Sequence, residues 1–141
     1  MSSVFTKIIQ GDLPARFVWR DASVVAFLSI NPLTPGHTLV VPIRETDHWI
    51  DLDAGEWAHV AEVSRQIALA INDVWPSEKV ALMLLGYDVP HVHAHLVATS
   101  GVGDIDFATA DLDPDPAEMD DAATKIRNAL TVREATGVAA A

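Results

Sequence analysis

Cysteine is missing from this 141-residue chain, which removes disulfides, thiol chemistry and every zinc site that relies on sulfur. Any metal would have to be held by histidine and carboxylate. Basic residues are scarce. Nine Lys and Arg stand against twenty Asp and Glu, and the net charge of -11 repels a phosphate backbone, which argues against a polymeric nucleic acid partner. A small phosphate ester stays allowed, because a pocket binds through local donors more than through global charge. No stretch approaches the roughly 18 uninterrupted apolar residues of a membrane span, and Met1-Ser2-Ser3 has neither the basic start nor the apolar run of a signal peptide. The expectation is a soluble, cytoplasmic protein without a membrane partner.

Apolar residues make up 50% of the chain, ample for one core, and the length fits a single domain over residues 1–141. Ser2 or Ser3 can cap a short helix through Val4, Phe5, Ile8 and Ile9 that ends at Gly11. Phe17-Val18-Trp19 and Val24 to Leu28 read as a hairpin, and His37 to Pro42 as a third strand after the Pro- and Gly-rich turn Asn31 to Gly36. Asp53 and Glu56 form a capping-box pattern that opens one long helix. Its apolar stripe of Trp57, Val60, Ile67, Ile71 and Val74 stops at Trp75-Pro76. Val80 to Leu85 is a fourth strand, and Pro90 to Val97 a fifth.

A last helix is expected over roughly Ala117 to Leu130, with a frayed tail over 136–141. Between them and the core, Asp104 to Asp121 holds eight acidic residues and no basic one, the pattern of a solvated loop. The fold class is therefore α+β, an antiparallel sheet covered on one face, with a core over about 4–99 and an acidic loop plus C-terminal helix over 100–135.

His91, His93 and His95 fall at alternate positions of Pro90-His91-Val92-His93-Ala94-His95-Leu96-Val97. On a strand that spacing puts three imidazoles on one face, each roughly 6.6 Å from the last, with Val92, Ala94 and Leu96 on the other. Imidazole titrates near neutrality and serves as nucleophile, acid, base or metal ligand. The run taken alone is equally that of an ion-binding tract or of surface histidines.

A second motif lies upstream: Phe27-Leu28-Ser29-Ile30-Asn31-Pro32-Leu33-Thr34-Pro35-Gly36-His37-Thr38-Leu39-Val40-Val41-Pro42. With the histidine strand it closely resembles the histidine triad (HIT) family, over about Val4 to Thr99. The resemblance implies a five-stranded antiparallel sheet with one long helix and short terminal helices, in a homodimer whose sheets continue across a two-fold axis. It also implies a hydrolase or transferase that acts on a small-molecule nucleotide at its α-phosphate, through a nucleotidyl-histidine intermediate and with no metal or cofactor. His93 would be the nucleophile, His95 would contact the phosphate or protonate the leaving group, and His91 and His37 would orient His93. Such two-step chemistry is ordinary covalent catalysis. Phe5, Ile8, Phe27 and Ile30 match positions that sandwich the base in relatives, although from the sequence alone they are core residues. Backbone N–H groups around Gly86 are placed to meet phosphoryl oxygens.

Departures from the family pattern bear on the ligand. Many relatives carry an acid where Ser29 stands, and a serine makes only one neutral bond to a ribose diol. Gly86-Tyr87-Asp88-Val89 replaces a Gly-Gln-Ser/Thr-Val run, so a carboxylate at Asp88 would oppose a phosphate unless it points away. The Asn that usually precedes this loop is absent as well. Two other readings therefore stand beside the enzyme: a nucleotide-binding module without turnover, and a three-His metal-binding protein. Outside the site, His48 reads as structural or surface, His59 as solvated on the polar side of the long helix, and Phe107 as a residue able to lap over the site mouth with nothing in the sequence requiring it.

Overall fold

Runs rich in Val, Leu and Phe assemble into one antiparallel sheet in the computed structural model, which describes residues 2–140. The strands are β1 (Phe17–Arg20), β2 (Val24–Leu28), β3 (Thr38–Pro42), β4 (Lys79–Met83) and β5 (Ala94–Thr99); the helices are α1 (Val4–Ile9), α2 (Ala54–Val74) and α3 (Pro116–Val132). Their order is β1-β2-β3-β5-β4. The α2 crossover carries the chain past the place of β5 and leaves β4 at an edge, so the last two strands depart from sequence order. The class is α+β, as the pattern of elements implied.

Alternation splits the sheet into two faces. Val24, Ala26, Leu28, Val40, Ala94 and Leu96 form the larger core beneath α2 and α3. Val25, Phe27, Leu39 and Val41 point the other way and pack on Phe5 of α1. The expectation of one covered face is thereby corrected. A six-residue helix is too short to persist alone and holds here because Phe5 is buried against Phe27 at a ring separation of 5.6 Å. Ser3 caps it, its Oγ accepting from the Thr6 N–H at 3.0 Å.

Helix α2 begins as its capping pattern predicts, with the Glu56 carboxylate accepting the Asp53 N–H at 3.3 Å. Val60, Val63, Ile67, Ala70 and Ile71 are buried against the chain's own sheet. Val60 and Ile67 of the apolar stripe are thus taken up by the chain's own core, while Trp57 and Val74 at its two ends stay half-exposed. Gly36 ends the turn before β3 at φ 84°, and a Cβ there would collide with Trp75 at the end of α2.

The C-terminal segment is also a correction. It does not fray over its described part: Arg20 donates its N–H to the Gly137 carbonyl (2.9 Å), Ala139 donates to Val18 (3.1 Å), and Val138 bridges to Trp19. The outer edge of β1 is covered in this way, while Ala141 lies outside the described residues. Among the described residues no helix is long and apolar enough to cross a membrane. Gly137 is buried with the Trp19 indole where a Cβ would go, and Trp19 is itself only 2% exposed. Gly137→Ala should lower the unfolding free energy by about 1–3 kcal/mol, the usual cost of overpacking. Urea denaturation checks this, and a loss below about 0.5 kcal/mol would mean the tail is as loose as its composition implied.

Candidate active site

Of the three clustered histidines, His95 alone lies within β5, which starts at Ala94. The register of β3 with β5 pairs Leu39 with His95 and Val40 with Ala94, and continuing it would set Pro42 opposite Val92. Proline has no N–H to give the ladder, so the pairing stops. The imidazole of His91 takes over the vacant acceptor, its Nε2–H donating to the Pro42 carbonyl at 2.7 Å, and the Val92 N–H turns to Thr46 at 2.8 Å. The backbone stays extended enough for the alternation to hold. His91, His93 and His95 all face the smaller core, while Val92, Ala94 and Leu96 are buried on the other side.

The protonation of each ring follows from its fixed neighbours. His93 Nδ1 lies 2.7 Å from the His91 carbonyl and must donate to it, so Nε2 carries the lone pair. His37 Nδ1 accepts the Leu33 N–H at 3.0 Å, which places the His37 proton on Nε2. That proton is donated to His95 Nδ1 at 3.0 Å and leaves His95 with its own proton on Nε2. One backbone amide thus sets two rings in sequence. While Nε2 of His91 donates to Pro42, its Nδ1 is hydrogen-bonded to the Ser3 hydroxyl at 2.7 Å. Glu45 holds this end of α1 by accepting from the Ser3 N–H and the Thr6 hydroxyl, both at 2.7 Å, and these two bonds hold its carboxyl down at about 2.

Burial, and secondarily the proton-bearing neighbour ring, pushes His37 down to about 3 and His95 to about 4; burial likewise lowers His93 below its ordinary 6.5. These three rings are neutral at physiological pH. Phe5 stands edge-on to His93 with ring centres 4.8 Å apart, and His95 lies 4.9 Å from His93.

A cleft of about 350 Å³ opens in front of His93 and His95. All seven residues read as nucleotide-binding, Phe5, Ile8, Phe27, Ser29, Ile30, Gly86 and Asp88, line it; the buried His37 and His91 do not. Phe5 and Phe27 serve the core at the same time, whereas Ile30 is 71% exposed. Ser29 Oγ accepts the Asn31 N–H at 3.3 Å, and Asp88 is exposed on the opposite lip, near enough for its charge to act on His93.

The HIT domain matches residues 10–102. The chain belongs to the HIT family. It is 37% identical over 111 residues to Protein hit of Bacillus subtilis, covering 72% of this chain and 73% of that one. It is 29% identical over 102 residues to the adenosine 5'-monophosphoramidase hnt1 of Schizosaccharomyces pombe, covering 69% and 74%. In structure it superposes on a zinc-bound histidine triad family protein from Mycobacterium smegmatis with a TM-score of 0.80 at 28% identity, over 95% of this chain and 96% of the other.

Within this HIT chain, sequence reasoning missed Ser3, Thr6, Glu45 and Leu33. Ser3 was legible only as a helix cap, and no spacing signal joins residues 3, 45 and 91. His48 is the cap of a short turn over Trp49–Asp51, Nδ1 accepting the Ile50 N–H at 3.4 Å, as a structural reading requires. His59, whose side chain is 42% exposed, adds a bond its solvated reading did not include: Nε2 sits 2.7 Å from the Asp21 carboxylate, which also accepts the Trp19 indole N–H.

The ring assignments predict a titration. As pH falls below 6.5 the unfolded chain binds protons that folded His37, His93 and His95 refuse, so stability present above 6.5 is lost on the way down toward about 3. Histidine NMR signals of His37 and His95 should stay at their neutral positions from pH 8 to 5, with Tm declining over the lower part of that range. A midpoint near 6.5 for either ring would show that the cluster is wetter than its burial implies.

Proposed function

We propose that this protein is a nucleotide hydrolase or transferase that breaks a bond at an α-phosphate through a nucleotidyl intermediate on His93, with no metal in the step. One observation carries the reading: the His91 carbonyl takes the Nδ1 proton of His93 at 2.7 Å, so a neutral, desolvated ring presents its Nε2 lone pair to the cleft. Attack at phosphorus forms the N–P bond, and the leaving group departs with the electrons of its own bond and takes any proton it needs from water at the cleft mouth. Water then resolves the phosphoramidate. His95, held neutral, acts as a hydrogen-bond donor from Nε2–H to the phosphoryl group or leaving atom. The monophosphoramidase name of the Schizosaccharomyces pombe relative supports a phosphoramidate among the substrates; dinucleoside polyphosphates are the other class proposed.

The apolar end of the cleft, with Phe5, Ile8, Phe27 and Ile30, suits a base; Ser29 is placed for the ribose and the turn at Gly86, with φ 80°, for phosphoryl oxygens. A three-imidazole metal site is poorly supplied. Both nitrogens of His91 and Nδ1 of His93 and of His95 are already engaged, and among the described residues no three His, Asp or Glu side chains converge on a metal position. The binding-module reading rests on Ser29, Tyr87 and Asp88. Turnover of a fluorogenic adenosine phosphoramidate with and without chelator separates all three. His93→Ala should lose at least a thousandfold in kcat, the scale of a lost nucleophile, and retention of a tenth of wild-type turnover would refute the covalent step.

The same reading includes a homodimer. The edge of β1 is covered by residues 137–139, whereas β4 ends the sheet with Leu82 at 46% and the following Leu85 at 53% exposed. An uncovered apolar edge invites strand pairing. Pairing of β4 with its two-fold mate would continue the sheet. Light scattering at micromolar concentration should give twice the 15.2 kDa of one chain, and a monomer mass would exclude the arrangement.

A further inference from the structure

Helix α1 has only six residues, yet three of them, Val4, Phe5 and Ile8, line the cleft. So short a helix does not persist alone, and whatever moors it decides where that wall stands. Its N-terminal end is moored through Ser3, which is buried at 9% exposure. The Ser3 N–H and the Thr6 hydroxyl both donate to one carboxylate oxygen of Glu45, in the chain that follows β3, at 2.7 Å each, and the Thr6 N–H donates to Ser3 Oγ at 3.0 Å. The shortest contact of that hydroxyl runs to His91 Nδ1, 2.7 Å away.

His91 in turn governs the nucleophile proposed above. Residues 91 to 93 lie outside the regular pairing of β5, so the carbonyl that takes the His93 Nδ1 proton is placed by whatever holds residue 91. The His91 backbone N–H donates to the Val89 carbonyl at 2.8 Å, the ring Nε2–H donates to the Pro42 carbonyl at 2.7 Å, and ring Nδ1 meets Ser3. Only the last of these ties reaches beyond the sheet and its loops. The same helix also sets a face of the reacting ring, since Phe5 stands edge-on to His91 at 5.9 Å and to His93 at 4.8 Å between centres. His37 and His95 take their order from the Leu33 amide and are independent of this junction.

We infer that Ser3 is a positioning residue for the His93 step: held by Glu45 and Thr6, its hydroxyl fixes the His91 ring and with it the carbonyl that keeps the His93 lone pair turned to the cleft. This role rests on the nucleotidyl-transfer reading above. Ser3, Thr6 and Glu45 do not line the cleft, so their loss should be felt in kcat more than in KM. Ser3→Ala removes the hydroxyl and Ser3→Thr keeps it. Nitrogen NMR of histidine-labelled wild type, free of ligand at neutral pH, should show His93 as one tautomer with its proton on Nδ1. In Ser3→Ala the His93 signals should move toward a mixture of tautomers while those of His37 and His95 stay in place. With an adenosine phosphoramidate, kcat should fall about tenfold and KM should change less than about threefold, the scale of a slightly misplaced reacting group; Ser3→Thr should recover both signals and rate.

His93 signals unmoved in Ser3→Ala overturn the role, and so does a shift of all three rings together, the mark of a generally loosened domain. If wild type does not turn over the phosphoramidate, the transfer reading fails, and the ligand-free signals decide the positioning role alone. Should Ser3→Ala not fold, Glu45→Ala bears the test, because it leaves the helix cap and the core in place. His93 should then shift as above, and Glu45→Gln, which keeps an oxygen acceptor for Ser3 and Thr6, should restore it. An unmoved His93 in Glu45→Ala removes the role.

Discussion

Three imidazoles buried against the apolar underside of one sheet have to remain uncharged, and that constraint organises the molecule around them. Each neutral ring has one donor and one acceptor, and buried groups of either kind need a partner. The partners are backbone groups wherever rigidity matters: Leu33 N–H for His37, the His91 carbonyl for His93. Protonating His95 at Nδ1 would set it against the Nε2–H of His37, which cannot turn over without opposing the Leu33 amide. The turn Asn31 to Gly36 therefore sets the protons of the cluster, although Asn31 is its one residue that lines the cleft.

Pro42 has a comparable effect on the other side. A full strand pairing through residues 91 to 93 would commit the His91 carbonyl region to a ladder; the missing amide of proline ends β5 at Ala94 and frees that stretch to bond within itself. His91 then links two layers, with the Pro42 carbonyl on one nitrogen and the Ser3 hydroxyl on the other, and Glu45 fixing α1 behind it. A helix of only six residues is held at the sheet by Phe5 and by this polar junction, and it delivers Phe5 to both the small core and the cleft wall.

The charge distribution fits a site for a small ligand in a strongly acidic protein. Among the residues that line the cleft Asp88 alone is acidic and none is Lys or Arg, and the side formed by Phe5, Ile8, Phe27 and Ile30 is apolar. Attraction to any anionic ligand would have to come from imidazole and backbone N–H donors in the cleft, not from basic side chains. The two sheet edges are likewise unequal, one closed by the chain's own C-terminal segment and the other bare.

Periodicity determined much by itself. The alternation of Val24 to Leu28 and Thr38 to Pro42, the capping pair Asp53 and Glu56, and the stop at Trp75-Pro76 gave the strands and the long helix within a few residues, because they depend on local geometry. The alternation at 91, 93 and 95 placed the three rings on one face even though only the last lies in a regular strand. Contacts between residues far apart in the chain were not legible. Composition marked the acidic segment and the Ala-rich end as loose, yet Phe107 is held on His95 and Gly137 against Trp19 by bonds to residues 31, 32, 18 and 20. The tertiary structure alone decided which nitrogen of each imidazole carries its proton, since that depends on amides and carbonyls brought in from other strands and turns, and a sequence names side chains without saying which backbone group will face them.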